Sequence, residues 1–138
     1  MKHGALLTAA SLLSVLLFTV HLADDIARGM EPGTVSNLPA VPICAVWLYG
    51  TLVLAERRSG HVIMLLGALL GMAVPVLQMM GSGVGPIAGS GGAFFFVWTL
   101  IALGVTALFS LVLSARGLWS LTVGRSPQPR RTTLPSAS

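Results

Sequence analysis

Residues 93–115 read AFFFVWTLIALGVTALFSLVLSA, with no ionisable side chain from one end to the other. A hydrocarbon core about 30 Å thick needs about 20 apolar residues in helical form, so this stretch has the length and composition of a transmembrane helix. Working outward, three more segments have the same character: 5–22, 38–55 and 62–80. None of them contains Asp, Glu, Lys or Arg, and His21, at the edge of the first, is the only histidine inside any of them. The expected fold is therefore an all-α integral membrane protein, a four-transmembrane-helix up-down bundle occupying residues 1–116.

Composition supports this. The chain has 138 residues, 54% of them hydrophobic and 9% charged, with mean hydropathy +0.87. A soluble domain draws roughly a quarter of its residues from Asp, Glu, Lys and Arg, so lipid must cover most of this surface. The net charge of +4 does not point to nucleic acid, because the basic residues flank apolar runs instead of lining a folded polar face. Their placement sets the expected orientation. With four crossings, Lys2, Arg57, Arg58, Arg116, Arg125, Arg130 and Arg131 fall on one side with Glu56, while Arg28 shares the other with Asp24, Asp25 and Glu31. Basic flanks stay in the cytoplasm, so both termini are expected inside, in a bacterial-type plasma membrane.

Local signals refine the segments. Gly29 suits a left-handed cap, extending helix 1 into water as far as Arg28. Asn37 is a candidate N-cap for helix 2, with Pro39 and Pro42 in its first turn. Arg57-Arg58-Ser59-Gly60 leaves room only for a tight hairpin between helices 2 and 3, and Pro75 is expected to kink helix 3. Gly67 and Gly71 form a GxxxG pair, and Thr106, Ser110 and Ser114 recur every fourth residue; both patterns read as helix-packing surfaces. Trp98 and Trp119 suit the membrane interfaces, whereas Trp47 and Tyr49, nearer mid-helix, are expected to face protein. Residues 81–92 are expected to form an outer glycine-rich loop. Residues 117–138 are expected to form a disordered basic cytoplasmic tail, drawn to anionic lipid.

The first segment also admits a signal-peptide reading, from Lys2, the apolar run and Ala23. Neither Val20 nor His21 offers the small residue that cleavage requires, so the segment is expected to be retained.

Chemistry has few places to reside. Cys44 stands alone, which excludes an internal disulfide, a CxxC pair or a cysteine-based zinc site. The most specific polar feature is His21, Asp24, Asp25 and Arg28, close together on one helical stripe at the outer boundary. Such a stripe is a candidate ligand site for a cation or a charged headgroup. The plainer reading is ion pairing between Asp24 or Asp25 and Arg28, and between His21 and a carboxylate. No metal and no cofactor is expected: one histidine on this face is too few for a metal centre, and His3 with His61 is a poor haem pair. Met64, Met72, Met79 and Met80 read as filler, not as copper ligands. Small four-helix multidrug transporters match in size, but carry a glutamate in the first helix where this chain reads Leu12-Leu13-Ser14-Val15-Leu16.

The function these features imply is that of a small accessory or interaction protein without a catalytic centre of its own, able to contact other membrane proteins or a second copy. The alternatives are an oligomeric carrier or channel using His21, Asp24, Asp25 and Arg28, and a metal-dependent or lipid-modifying membrane enzyme using the same stripe.

Overall fold

The structure, a computed structural model, describes residues 2–30, 33–80 and 91–123. Among these residues the regular elements are all helices, with no strand. The helices are α1 (Lys2–Ala27), α2 (Ala40–Leu52), α3 (Arg58–Met80) and α4 (Ala93–Val123), with a single 3-10 turn, Val35–Asn37, ahead of α2. Three of the four, over Gly4–Ala27, Arg58–Met80 and Ala93–Val123, are long and apolar enough to cross a bilayer. The chain is a helical membrane protein.

α1 ends as its sequence dictates. Gly29 takes φ +72°, and this left-handed step turns two backbone amides onto the last carbonyls: Gly29 N–H to Ile26 O at 3.0 Å and Met30 N–H to Asp25 O at 2.9 Å. That pair of bonds is a Schellman cap.

α2 is shorter than the expected 38–55. Its 13 residues rise about 20 Å, less than the hydrocarbon thickness. Asn37 closes the 3-10 turn instead of capping α2, and Pro39, which has no N–H to leave unsatisfied, takes the cap position. At the other end the chain must reverse before Arg58, and the Arg57 N–H bonds Leu54 O at 2.9 Å. Gly60 makes the reversal feasible, because a Cβ there would overlap the Leu54 carbonyl. α3 accordingly begins four residues ahead of the expected 62 and runs unbroken through Pro75, whose buried ring lies beside Gly104.

α4 corrects the expected boundary at 115. It continues to Val123, so residues 117–123 are helix and not tail. Leu118, Leu121 and Val123 keep the segment apolar, and Gly117 serves close approach, since a Cβ there would meet the His61 ring. Residues 124–138, where the rest of the tail was expected, and residues 81–90 of the outer loop lie outside the described residues.

α4 lies along α1 and α3, and α2 lies against α1 and α3. Between transmembrane helices the surrounding lipid is as apolar as the side chains, so association relies on close fit and interhelical hydrogen bonds. The interior reflects that. Many Leu, Val and Phe side chains project outward, while Ser11, Ser14, Thr51, Thr99, Ser110 and Ser114 are buried with Met64, Ala68, Phe96, Leu103 and Ala107.

Trp47 is the largest fully buried side chain. Its indole N–H donates to Ser11 Oγ at 2.9 Å, Ser11 lies 2.7 Å from Thr51 Oγ1, and Thr51 donates to the Trp47 carbonyl at 2.8 Å. With Ser11 as donor to Thr51, every proton in this loop has an acceptor. Gly67 presents its bare Cα to the Trp47 ring, and Gly71 approaches Ala107 of α4. Tyr49, expected to face protein, is 54% exposed; two residues on from Trp47, it lies on the opposite side of α2. On α4 Ser110 and Ser114 are fully buried, but Thr106 is only partly so and returns its hydroxyl to Ala102 O. A four-residue repeat drifts about 40° per step around a 3.6-residue helix, which carries Thr106 to the edge of the packed face.

Candidate functional site

His21 and Asp25 are one helical turn apart, so both point from α1 into the bundle, where they are 2% and 5% exposed. Asp24 and Arg28 are also one turn apart, on the neighbouring face. The sequence stripe thus divides into two pairs with different surroundings.

The inner pair is joined by residues of two other helices. His21 Nδ1 lies 3.3 Å from Thr99 Oγ1 of α4, and Thr99 donates its own proton to Phe96 O at 2.9 Å. The Thr99 oxygen is therefore the acceptor and His21 Nδ1–H the donor. Nε2 then carries the lone pair and accepts from Gln78 Nε2 of α3, at 3.4 Å. The second proton of the Gln78 amide goes to Asp25 Oδ2 at 3.0 Å. A neutral His21 with its proton on Nδ1 satisfies every hydrogen in this network. His21 Nε2 and Asp25 Oδ2 are 3.7 Å apart, and the Phe96 ring stands 5.0 Å from the imidazole.

The outer pair is a clasp. Arg28 Nε donates to Asp24 Oδ2 at 2.7 Å, and its Nη2 reaches Gly92 O at 3.2 Å, tying the end of α1 to the start of α4. The guanidinium fits because residue 92 is glycine; a Cβ would occupy its place. Arg28 lies just beyond the span, and the hydrogen bond with Asp24 holds its pKa above the ordinary arginine value.

A cleft of about 410 Å³ opens beside the inner pair, with His21, Asp25 and Gln78 at its polar end and Phe18, Leu22, Leu70, Val74 and Leu77 along its walls. Small-molecule sites range over roughly 300–1,000 Å³. Leu70 also borders a second, almost wholly apolar cleft of about 430 Å³ between α2 and α3, floored by Trp47 and Gly67. The α2–α3 hairpin is tight at Gly50, where a Cβ would overlap Ile63, and at Gly60. It opens toward Pro42 and Leu70.

Gln78 and Thr99 are the partners that periodicity alone did not assign. Each is a polar residue at the same depth as His21, and that shared depth was the signal available. Among the described residues no three His, Cys, Asp or Glu side chains gather as metal ligands. Met64 is buried, whereas Met79 and Met80 are exposed, so the methionines do not converge. His61 bonds Arg57 O at 3.1 Å, and the His3 side chain lies outside the described residues.

The two pairs should respond differently to substitution. Asp24→Asn, in the outer clasp, is expected to leave thermal unfolding in mild detergent nearly unchanged, as partly exposed helix pairs do. His21→Asn is expected to lower stability by about 1–3 kcal/mol, because buried partners on α3 and α4 lose their hydrogen bonds. Equal effects at the two positions would show that the pairs are not separate.

Comparison with known proteins returns no match: no family model, no curated protein and no solved structure is significantly similar to this chain.

Proposed function

We propose that this chain is a small multi-pass protein of a bacterial-type plasma membrane, crossing it four times in up-down order with both termini in the cytoplasm. In this reading it acts as an accessory protein without a catalytic centre, holding a small ligand or a partner's polar group at His21, Asp25 and Gln78. The observation that carries this reading is the cleft at the inner pair. Ionisable groups within a membrane span are expensive to place and ordinarily mark function, and here they border a cavity and are braced by two other helices.

Up-down order is supported by the residue pairings. Ser11 meets Thr51, while Thr19 lies 4.0 Å from Cys44. His21 meets Thr99, while Arg28 meets Gly92. In both cases one index rises as the other falls. The short α2 completes a crossing with the apolar residues flanking it, Leu38, Val53 and Leu54. The distribution of Lys and Arg favours cytoplasmic termini, and the basic residues beyond Gly124 would then hover at anionic lipid. In a Cys44→Ser background, cysteines at Ser36 and Ser126 are expected to label from opposite sides of the membrane. Labelling from the same side would overturn the topology.

The ligand reading is tested by native mass spectrometry of gently extracted protein. Wild type is expected to carry a bound small molecule or partner that His21→Ala and Asp25→Asn lose while remaining folded. Wild type found bare, with both variants fully functional in cells, would reduce the inner pair to a structural brace. A carrier function is the second reading, favoured by the position of the inner pair near one end of the bundle. Uptake into vesicles containing only this protein would support it.

A further inference from the structure

Arg116 is a cation without a counter-charge. Arg28 is clasped by Asp24, and Arg58 gives a proton to Leu121 O at 2.7 Å. Among the described residues Arg116 makes no hydrogen bond and no ion pair, so the five N–H donors of its planar guanidinium remain available. It borders a cleft of about 320 Å³ between the starts of α1 and α3 and the last turns of α4.

The walls of this cleft are held in place. The Arg58 bond to Leu121 O ties the start of α3 to the end of α4, and the His61 ring fits the gap left by Gly117. His61 gives its Nδ1 proton to Arg57 O, because a carbonyl oxygen can only accept. Its other nitrogen, Nε2, lies beside Gly117 on the cleft wall, where it can take a second proton and present it to an anion. Leu7 and Leu113 supply the apolar part of the lining, and Ser120 stands exposed at the rim.

Charge and depth specify the ligand. Arg57, Arg58 and Arg116 lie at this end of the helices with Glu56, and Glu56 does not line the cleft, so the cleft favours an anion. A planar guanidinium pairs best with the oxygens of a carboxylate or a phosphate. Trp119 is exposed within one turn of Arg116, and tryptophan settles at the level of the lipid headgroups. The anion abundant at that depth is a lipid phosphate, and its acyl chains match Leu7 and Leu113.

We infer that this cleft binds a phosphate group presented by an anionic lipid, with the Arg116 guanidinium on its oxygens, His61 Nε2 alongside and the first acyl carbons against Leu7 and Leu113. The site lies at the opposite end of α1 from His21 and Asp25 and does not depend on what that pair holds.

Binding of labelled dioleoyl phosphatidate and dioleoylglycerol, which differ only in the phosphate, tests it. The full chain is held in non-ionic micelles at about 0.15 M salt, where diffuse attraction between exposed charges is screened, with empty micelles as the baseline. The expected result is saturable retention of phosphatidate, favoured over dioleoylglycerol by about tenfold, the difference made by one charge-assisted pair. Arg116→Gln, at an exposed position with no partner to lose, should remove the preference and leave thermal unfolding unchanged. Ser120→Trp, also at an exposed position, should abolish retention by filling the cleft. Arg130→Gln, the same loss of charge elsewhere in the chain, should change nothing. Inorganic phosphate in equal amount should not displace the lipid; displacement would overturn the lipid as the source of the phosphate. Equal retention of the two lipids, a preference that survives both Arg116→Gln and Ser120→Trp, or one lost equally in Arg130→Gln would overturn the site and leave Arg116 as a boundary charge.

Discussion

Trp47→Ala is expected to lower the stability of the folded bundle by about 3–5 kcal/mol, the range for truncating a large buried aromatic residue. Trp47 is 1% exposed and fills the space where α1, α2 and α3 meet. The facing residues Gly67 and Gly71 have no side chains to extend into the vacated space, which leaves relaxation to neighbours such as Phe18, 6.4 Å away between ring centroids. The substitution also removes the donor to Ser11 and takes one link out of the closed hydroxyl loop. Trp47→Phe separates the two contributions: most of the ring remains, only the N–H is lost, and the expected change falls to about 1 kcal/mol. Unfolding by denaturant in mild micelles measures both. A Trp47→Ala variant as stable as wild type would mean that α2 is held by something other than this side chain.

Gly60→Leu is expected to open the α2–α3 hairpin. A Cβ at position 60 would fall on the Leu54 carbonyl and close to the Gly50 carbonyl. These are backbone atoms and cannot rotate aside. Relief requires separating the two helices where they are closest, which costs at least the roughly 1–3 kcal/mol of an over-packed core and removes the fit of Gly50 on Ile63. Unfolding by denaturant in mild micelles would report the loss: Gly60→Leu is expected to be less stable than wild type by at least that amount. A contrasting substitution is Gly4→Leu, where a Cβ meets nothing within 4 Å and no effect is expected.

The fold was legible wherever a single helix decides the outcome. The apolar runs located α1, α3 and α4, and Gly29 marked the cap of α1, because length, composition and a positive φ are properties of one segment. Boundaries that depend on a neighbour were not legible. The stretch from Gly117 read as tail because the chain turns polar and basic toward its end, but Gly117 lies inside α4 as the gap that admits His61. Asn37 read as a cap, yet Pro39 takes the cap position and the hairpin sets where α2 ends.

The candidate site was legible by half. The spacing of His21, Asp24, Asp25 and Arg28 placed them on one stripe, but two residues one helical turn apart turn inward while the other two turn toward Gly92. That division is made by Gln78 and Thr99, 57 and 78 residues from His21 along the chain. Helical periodicity carries no information across such distances.

The burial of Trp47 also gives this protein an internal optical reporter. The chain has three tryptophans; Trp98 and Trp119 are exposed on the outer surface, at 59% and 74%, whereas Trp47 is 1% exposed, at the floor of the cleft between α2 and α3. Brominated acyl chains should therefore quench the emission of the two outer indoles more strongly than that of the third. A fluorescence component that resists lipid quenching would report, without any label, that α2 is docked. Its disappearance would time the moment at which the hairpin leaves the bundle.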